Sequence, residues 1–222
     1  MYGLNDVDRF SFYWYREEEK YLIPKYFTKG SSVLDLGCGV GRTTLKLYEN
    51  SYAVKGVDIS EVFINICKRR FPYIEFEASS FHNLSEETKS WDNVLLSWNG
   101  INYVNEESAR AAIKSVSKII KYNGYFIISS LNIRWRLLGS LIFQKNKALA
   151  IKNWHLGFKE TASMKDKEGV MQYYSPDYFV NMLKEYGFSF IEKIPLKKYP
   201  SRFAATLLSP HYYYVFRRNL TL

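Results

Sequence analysis

The chain has 222 residues, enough for one domain with an elaboration and a sizeable buried core. Hydrophobic residues make up 47% and charged residues 24%, which excludes a disordered or low-complexity chain. The net charge of +9 belongs to residues 134–222, because residues 1–133 hold 16 basic and 16 acidic side chains. Residues 134–222 hold 15 basic and 6 acidic side chains, and this positive charge favours an acidic substrate, a nucleic acid or a lipid surface as partner.

Apolar runs alternate with helix-compatible segments, which predicts an α/β fold with a mostly parallel sheet covered by helices on both faces. Residues 1–29 are expected to form a helical lead-in. The predicted strands are 33–36, 53–57, 74–78, 93–98, 125–131, 188–194 and 211–217. The predicted helices are 41–48, 60–70, 106–120 and 175–186. Ser60 and Ser175 are the expected N-caps, with Pro176 at the first helical position.

Residues 132–172 interrupt this alternation, with 8 basic against 3 acidic side chains among bulky apolar residues. The stretch 133–154 is predicted to form one or two amphipathic helices. We expect a single domain over 1–222, with a core of 30–131 and 173–222 and a helical lid of 132–172. An interfacial helix on a membrane surface has the same composition and stays an alternative.

Compartment and metal content are predicted from what the sequence lacks. No stretch approaches the ~20 apolar residues of a membrane span, and Met1 to Arg16 lacks the apolar core of a signal peptide. Cys38 and Cys67 form no CxxC pair, and no grouping has metal-ligand spacing. These features predict a cytoplasmic protein without a metal and without stable membrane insertion.

The glycine-rich stretch Val-Leu-Asp-Leu-Gly-Cys-Gly-Val-Gly-Arg at residues 33–42 joins the first strand to a helix. Glycines at such a junction let the backbone approach a ligand, and the helix N-terminus offers free N–H groups. Arg42 stands where the dinucleotide fingerprint requires its third glycine. Asp-x-Gly-x-Gly-x-Gly instead resembles motif I of class I S-adenosylmethionine (SAM) dependent methyltransferases, of the small-molecule type.

This resemblance implies a Rossmann-like sheet of seven strands, the last antiparallel between strands 5 and 6, and SAM as cofactor with S-adenosylhomocysteine as product. It implies that Asp35 orients the loop and bonds toward the amino group of SAM. Gly37 and Gly39 match the glycines beneath the methionine moiety and ribose. Asp58 matches the carboxylate that accepts both ribose hydroxyls, and Ile59 the residue on the adenine face.

The other cofactor positions that the resemblance implies include one departure from the pattern. Ser79 stands where many relatives have an aspartate for the adenine amino group. Its hydroxyl can accept that bond more weakly, and backbone groups at Ser80 and Phe81 are the alternative. Arg16 is the candidate for the methionine carboxylate, whereas Arg42 is expected to face solvent. The remaining candidates are Cys38, Ser80, Phe81, Ser97 and Trp98.

Methyl transfer is an in-line displacement in which positioning and aromatic walls contribute most. The aromatic candidates are Tyr13, Trp14, Trp98 and Tyr103. A base is needed only where the acceptor loses a proton, and His155 in the insertion is the histidine expected to overhang the methyl group. The candidate catalytic residues are therefore Tyr13, Tyr103 and His155.

Three functions remain open at this point. The first is methyl transfer to an O or N atom of a small, possibly anionic molecule. The second is methylation of tRNA or rRNA, drawn by the C-terminal charge, although residues 97–103 lack the Asn/Asp-Pro-Pro-Tyr signature of many nucleobase amino-methylating enzymes. The third is a non-catalytic module that binds SAM or a nucleotide. A pocket above Trp98 favours the first, and a wide continuous basic groove favours the second.

Overall fold

The computed structural model describes residues 15–80, 84, 90–166, 169–196 and 207–219. Its strands are β1 Ser32–Leu36, β2 Ala53–Asp58, β3 Glu75–Ala78, β4 Trp91–Leu96, β5 Ile120–Leu131, β6 Thr161–Asp166, β7 Gly169–Tyr174, β8 Phe188–Pro195 and β9 His211–Arg218. Its α-helices are α1 Glu17–Tyr26, α2 Arg42–Glu49, α3 Glu61–Arg70, α4 Glu106–Ile119, α5 Gly139–Phe143, α6 Lys147–Lys152 and α7 Pro176–Lys184.

Seven strands form one sheet in the order β3-β2-β1-β4-β5-β9-β8. Strands β1 to β5 pair in parallel, and β9 lies antiparallel between β5 and β8. The predicted fold class is thereby confirmed, including the antiparallel last strand. This order brings the carboxyl ends of β1, β4 and β5 to the same sheet edge as the amino end of β9.

Buried apolar side chains lie on both faces of the sheet. One cluster joins the sheet to α4 and α7, including Val116 and Phe179. A second joins it to α1 and α2, including Leu22 and Leu47. Because helices cover both faces, the central strands β1 and β4 are almost wholly buried and mostly apolar, as parallel strands of this kind usually are, whereas the edge strand β3 has two exposed glutamates.

The capping predictions are confirmed. The Ser60 side chain accepts a hydrogen bond from the Phe63 N–H at 3.4 Å, which starts α3. The Ser175 side chain accepts one from the Tyr178 N–H at 3.3 Å, and Pro176 takes the first position of α7. Each cap satisfies one N–H that the helix cannot pair internally.

Strand β5 begins earlier than the sequence indicates. The strand was predicted to begin at residue 125, after Asn123-Gly124 had ended the helix, but it starts at Ile120, directly after α4, and its register shifts opposite Trp91 and Asn93. A Cβ at Gly124 would lie 2.3 Å from the Asp92 carbonyl oxygen. Glycine there therefore permits a close approach of β4 and β5 instead of ending a helix.

The insertion after β5 is only half helical. Residues 133–158 form two 3₁₀ turns, Ile133–Arg136 and Trp154–Phe158, around α5 and α6. The rest, expected within a helical lid, contains the antiparallel hairpin β6–β7, a separate two-stranded sheet. In the part of the chain that the structure describes, no helix combines the length and apolar character needed to cross a membrane.

Candidate active site

The glycine loop between β1 and α2 has the backbone conformation that only glycine adopts freely. Gly37, Gly39 and Gly41 all have positive φ, at 63°, 56° and 84°. A Cβ on Gly39 would meet nothing within 4 Å, so the loop has open space beside it. Cys38 is buried with its thiol in the core, and it can contribute to a ligand only through its backbone.

Asp58 at the end of β2 holds this loop in place. Its carboxylate accepts hydrogen bonds from the N–H groups of Gly39 and Ser60, both at 2.9 Å. Burial raises the pKa of Asp58, against the lowering effect of those two N–H groups. Ser79 donates its N–H to the Asp58 carbonyl at 3.0 Å, and the Ile59 side chain beside it is 77% exposed.

Asp35 lies within the sheet and is 1% exposed. One of its oxygens accepts hydrogen bonds from the hydroxyls of Thr43 and Thr44, both at 2.6 Å. Burial raises the pKa of Asp35 to about 6, although both hydroxyls act in the opposite direction. Asp35 therefore anchors the first turn of α2, and its expected bond toward the amino group of SAM stays a prediction.

A buried ion pair joins the lead-in helix to the loop. Glu19 of α1 is fully buried and takes both guanidinium arms of Arg42, at 2.6 and 2.7 Å. Ser97 and Tyr213 also donate hydrogen bonds to Glu19. Burial alone would raise the pKa of Glu19, but the hydrogen bonds from Arg42 and Ser97 lower it. The expectation that Arg42 faces solvent is wrong, since its side chain is 12% exposed.

Trp98 and Asn99, at the end of β4, form a strained platform. Both have positive φ, at 58° and 60°, which is uncommon outside glycine and concentrates at functional sites. The Asn99 N–H donates to the Ser129 hydroxyl at 2.6 Å, which fixes this conformation. The guanidinium carbon of Arg16 lies 4.5 Å from the Trp98 ring centroid. The ring itself is 44% exposed.

A cavity of about 260 Å³ opens over Trp98 at this edge of the sheet. Its walls come from the lead-in, the strand ends and the hairpin of the insertion. The lining residues are Arg16, Trp98, Asn99, Tyr103, Ser129, Leu131, Met171, Tyr173, His211 and Tyr213.

Comparison with known proteins agrees with this geometry. Residues 33–124 match a family model described as a methyltransferase domain. These residues include the glycine loop, Asp58 and the platform that Trp98 and Asn99 form after β4. Residues 33–124 form a methyltransferase domain. The resemblance seen in the glycine loop is thus confirmed, and so is the enzyme class at the level of this domain.

Among curated proteins, the chain is similar to the ubiquinone/menaquinone biosynthesis C-methyltransferase of Campylobacter jejuni. The two are 25% identical over 122 residues, which is 52% of this chain and 51% of the relative. The chain therefore spans about half the length of the curated relatives it matches.

Two solved structures share the fold over most of the chain. A SAM-dependent methyltransferase from Methanosarcina mazei has a TM-score of 0.65 and 17% identity, covering 90% of this chain and 98% of the other. The 1,6-didemethyltoxoflavin-N1-methyltransferase of Burkholderia thailandensis, with its substrate and S-adenosylhomocysteine bound, has a TM-score of 0.59 and 15% identity. It covers 86% of this chain and 72% of the other. At these identities the likeness establishes the fold.

The fold brings some of the predicted site residues together at the cavity and separates others from it. Arg16, Trp98 and Tyr103 line the cavity, whereas Ser97 is buried in the Glu19 network. Ser79 and Ser80 follow β3 beside Asp58. Tyr13, Trp14 and Phe81 lie outside the described residues.

His155, the histidine favoured from the sequence, is exposed on the insertion and is not part of the cavity lining. His211, which begins β9, lines the cavity instead. The antiparallel position of β9 carries the signal that sequence reasoning missed. The amino end of such a strand meets the carboxyl ends of its parallel neighbours, where ligands bind in open α/β sheets. Within the described residues, no group of three His, Cys, Asp or Glu side chains could hold a metal ion.

Proposed function

We propose that this chain transfers a methyl group from SAM to an O or N atom of a small molecule. The observation that carries the proposal is the cavity over Trp98, where four of the ten lining residues are Trp or Tyr. The guanidinium carbon of Arg42, the first residue of α2 after the glycine loop, lies 5.4 Å from the ring centroid of the same Trp98. Its volume, about 260 Å³, is near the lower end of small-molecule pockets and suits a compact acceptor.

The residues around the glycine loop fit the cofactor. Open space beside Gly39 allows close approach of a ligand, and the Asp58 carboxylate keeps lone pairs for a ribose diol beyond its two N–H bonds. Ile59 leaves an apolar surface exposed where a purine ring would pack. Bound SAM supplies an electrophilic methyl group on a positively charged sulfur. The aromatic ring of Trp98 stabilises a cation near its face.

Replacing Asp58 with alanine is expected to weaken binding of S-adenosylhomocysteine roughly ten- to 150-fold, because hydrogen bonds to a charged group contribute about 1.5–3 kcal/mol. Calorimetric titration measures this. Asp177→Ala, an exposed aspartate at the start of α7, is the matched control and should bind normally. Unchanged affinity in folded Asp58→Ala protein would mean that Asp58 only holds the loop.

His211 is the cavity residue suited to take a proton from the acceptor. When an O–H or N–H group is methylated, the new bond forms as the methyl–sulfur bond breaks, and the acceptor must release its proton. The Arg16 guanidinium stays protonated near neutral pH and cannot accept a proton. Burial raises the pKa of Tyr213 well above its ordinary value, so its hydroxyl also stays protonated near neutral pH. Histidine is the side-chain type that exchanges protons in this range. Arg16 in the same cavity provides a positive charge for an anionic acceptor group.

Acceptor and base are tested together. The chain is incubated with methyl-labelled SAM and either the small-molecule or the RNA fraction of a cell extract. We expect label in the small-molecule fraction. With that fraction, His211→Asn should lower the transfer rate about 100-fold or more, as removal of a general base does. His155→Asn is the matched control and should keep full activity, since His155 lies outside the cavity lining.

The alternatives are the other outcomes of this experiment. Label in RNA supports the second function, and no label in either fraction, with SAM bound, supports a non-catalytic module. Two names from the comparisons, a quinone-biosynthesis C-methyltransferase and a didemethyltoxoflavin methyltransferase, support a small acceptor. Equal loss of rate in both histidine variants would remove the proposed role of His211.

A further inference from the structure

The first part of the insertion, residues 133–158, exposes an unusual density of large apolar side chains. Ile151 is 67% exposed, Phe158 60% and Ile142 56%. The whole set is Leu138, Ile142, Phe143, Leu149, Ile151, Trp154 and Phe158. None of these side chains lines the cavity over Trp98. They therefore take no part in lining that cavity, and their exposure needs another explanation.

Basic side chains are interspersed with this apolar set. Residues 132–159 contain six Lys and Arg and no Asp or Glu. Lys145, Lys152 and Lys159 are exposed. Lys147 donates to the Ile142 carbonyl at 2.9 Å, which ties α6 to the end of α5. The segment thus presents apolar and positively charged groups together from short, connected elements.

This combination discriminates between possible occupants. A second copy of the chain, packed symmetrically, would place basic segment against basic segment with no acidic side chain in either. Single-stranded nucleic acid would use stacking aromatic groups, whereas most of the exposed apolar residues here are aliphatic. Aliphatic and aromatic side chains among lysines match the interface of a bilayer with anionic headgroups.

We propose that residues 133–158 dock the protein on the surface of an anionic lipid membrane. The apolar side chains enter the boundary between headgroups and acyl chains, and the lysines contact the lipid phosphates. The docking segment adjoins the cavity, because the Arg136 guanidinium carbon lies 5.5 Å from the ring centroid of Tyr173, a cavity-wall residue. A docked protein consequently holds its acceptor cavity close to the membrane surface.

Vesicle co-sedimentation of the full chain tests this docking. We expect binding to phosphatidylcholine vesicles that contain phosphatidylglycerol and not to phosphatidylcholine alone, with weaker binding at high salt because screening weakens the lysine contacts. Ile142→Glu with Ile151→Glu should weaken binding about tenfold or more. Ile191→Glu is the matched control, since Ile191 is 41% exposed on β8, away from the insertion; it should bind as wild type.

A separate pair of variants tests the contacts between the lysines and the lipid phosphates. Lys145→Gln with Lys152→Gln should lose binding, whereas Lys114→Gln with Lys118→Gln, two exposed lysines of α4, should retain it. Absence of binding to anionic vesicles, or equal binding by test and control variants, would overturn the proposal. So would a wild-type dimer that Ile142→Glu with Ile151→Glu converts to a monomer by light scattering, because a second copy would then be the occupant.

Discussion

Glu19→Ala should lower the free energy of unfolding by about 3–5 kcal/mol, the usual cost of breaking a buried ion pair from one side. The variant leaves the Arg42 guanidinium, whose side chain is 12% exposed, without its carboxylate. It also removes the acceptor of the Ser97 and Tyr213 hydroxyls. Urea denaturation followed by circular dichroism measures the change.

Two further variants separate electrostatics from packing. Glu17→Ala in the same helix removes an exposed pair with Lys20, and it should cost under about 1 kcal/mol. Glu19→Met combined with Arg42→Met removes both buried charges and should recover most of the stability that Glu19→Ala loses. If the Glu19→Met, Arg42→Met double variant is no more stable than Glu19→Ala, lost packing and not an unpaired charge is the cause.

Asp35 is expected to make the wild-type protein less stable as pH rises, relative to Asp35→Asn. Burial raises the pKa of Asp35 from 3.8 to about 6, so the folded state binds its proton more tightly than the unfolded state. The contribution of the Asp35 carboxyl to the free energy of unfolding is fully present below its ordinary pKa of 3.8, and it is lost as pH rises through about 6. A difference of about two pKa units corresponds to about 3 kcal/mol. Urea denaturation across the range from about pH 4 to pH 8 measures it.

Asn is the right comparison because its amide oxygen still accepts the hydroxyls of Thr43 and Thr44, while groups common to both proteins cancel in the difference. Asp92→Asn supplies a control of opposite sign. Burial acts to raise the pKa of Asp92, but hydrogen bonds from Lys121 and Ser32 lower it below 3.8. Wild type should therefore gain stability over Asp92→Asn as pH rises from the folded pKa to 3.8, which requires extending the urea series below about pH 4. A difference between wild type and Asp35→Asn that does not change with pH would contradict the raised pKa of Asp35.

The sequence predicted the strands and the cofactor loop because local patterns determine them. Apolar runs, the spacing of Gly37, Gly39 and Gly41, and the caps at Ser60 and Ser175 are all readable within a few residues. The hairpin β6–β7 was missed since the insertion was interpreted by its charge, although Gly169 after four charged residues is a turn signal.

Long-range contacts account for the other misses. Arg42 was assigned to solvent because its partner, Glu19, lies 23 residues earlier and meets it only in the folded chain. His211 reaches the cavity through the position of β9 between β5 and β8, which is a property of topology. Site residues on separate strands are therefore predictable only once strand order and direction are considered together with the motif.

The place of β9 also bears on how the chain is made. Strand β5 pairs along seven consecutive residues with β9, which comes from the last part of the sequence. During synthesis the first five strands emerge well before residues 211–218, so β5 is an open apolar edge until the final strand arrives. Unpaired edges recruit other chains, and domains form from the N-terminus first. A chain that ends before β9 should therefore aggregate. A chaperone would bind the nascent chain at the stage when β5 has been made and β9 has not.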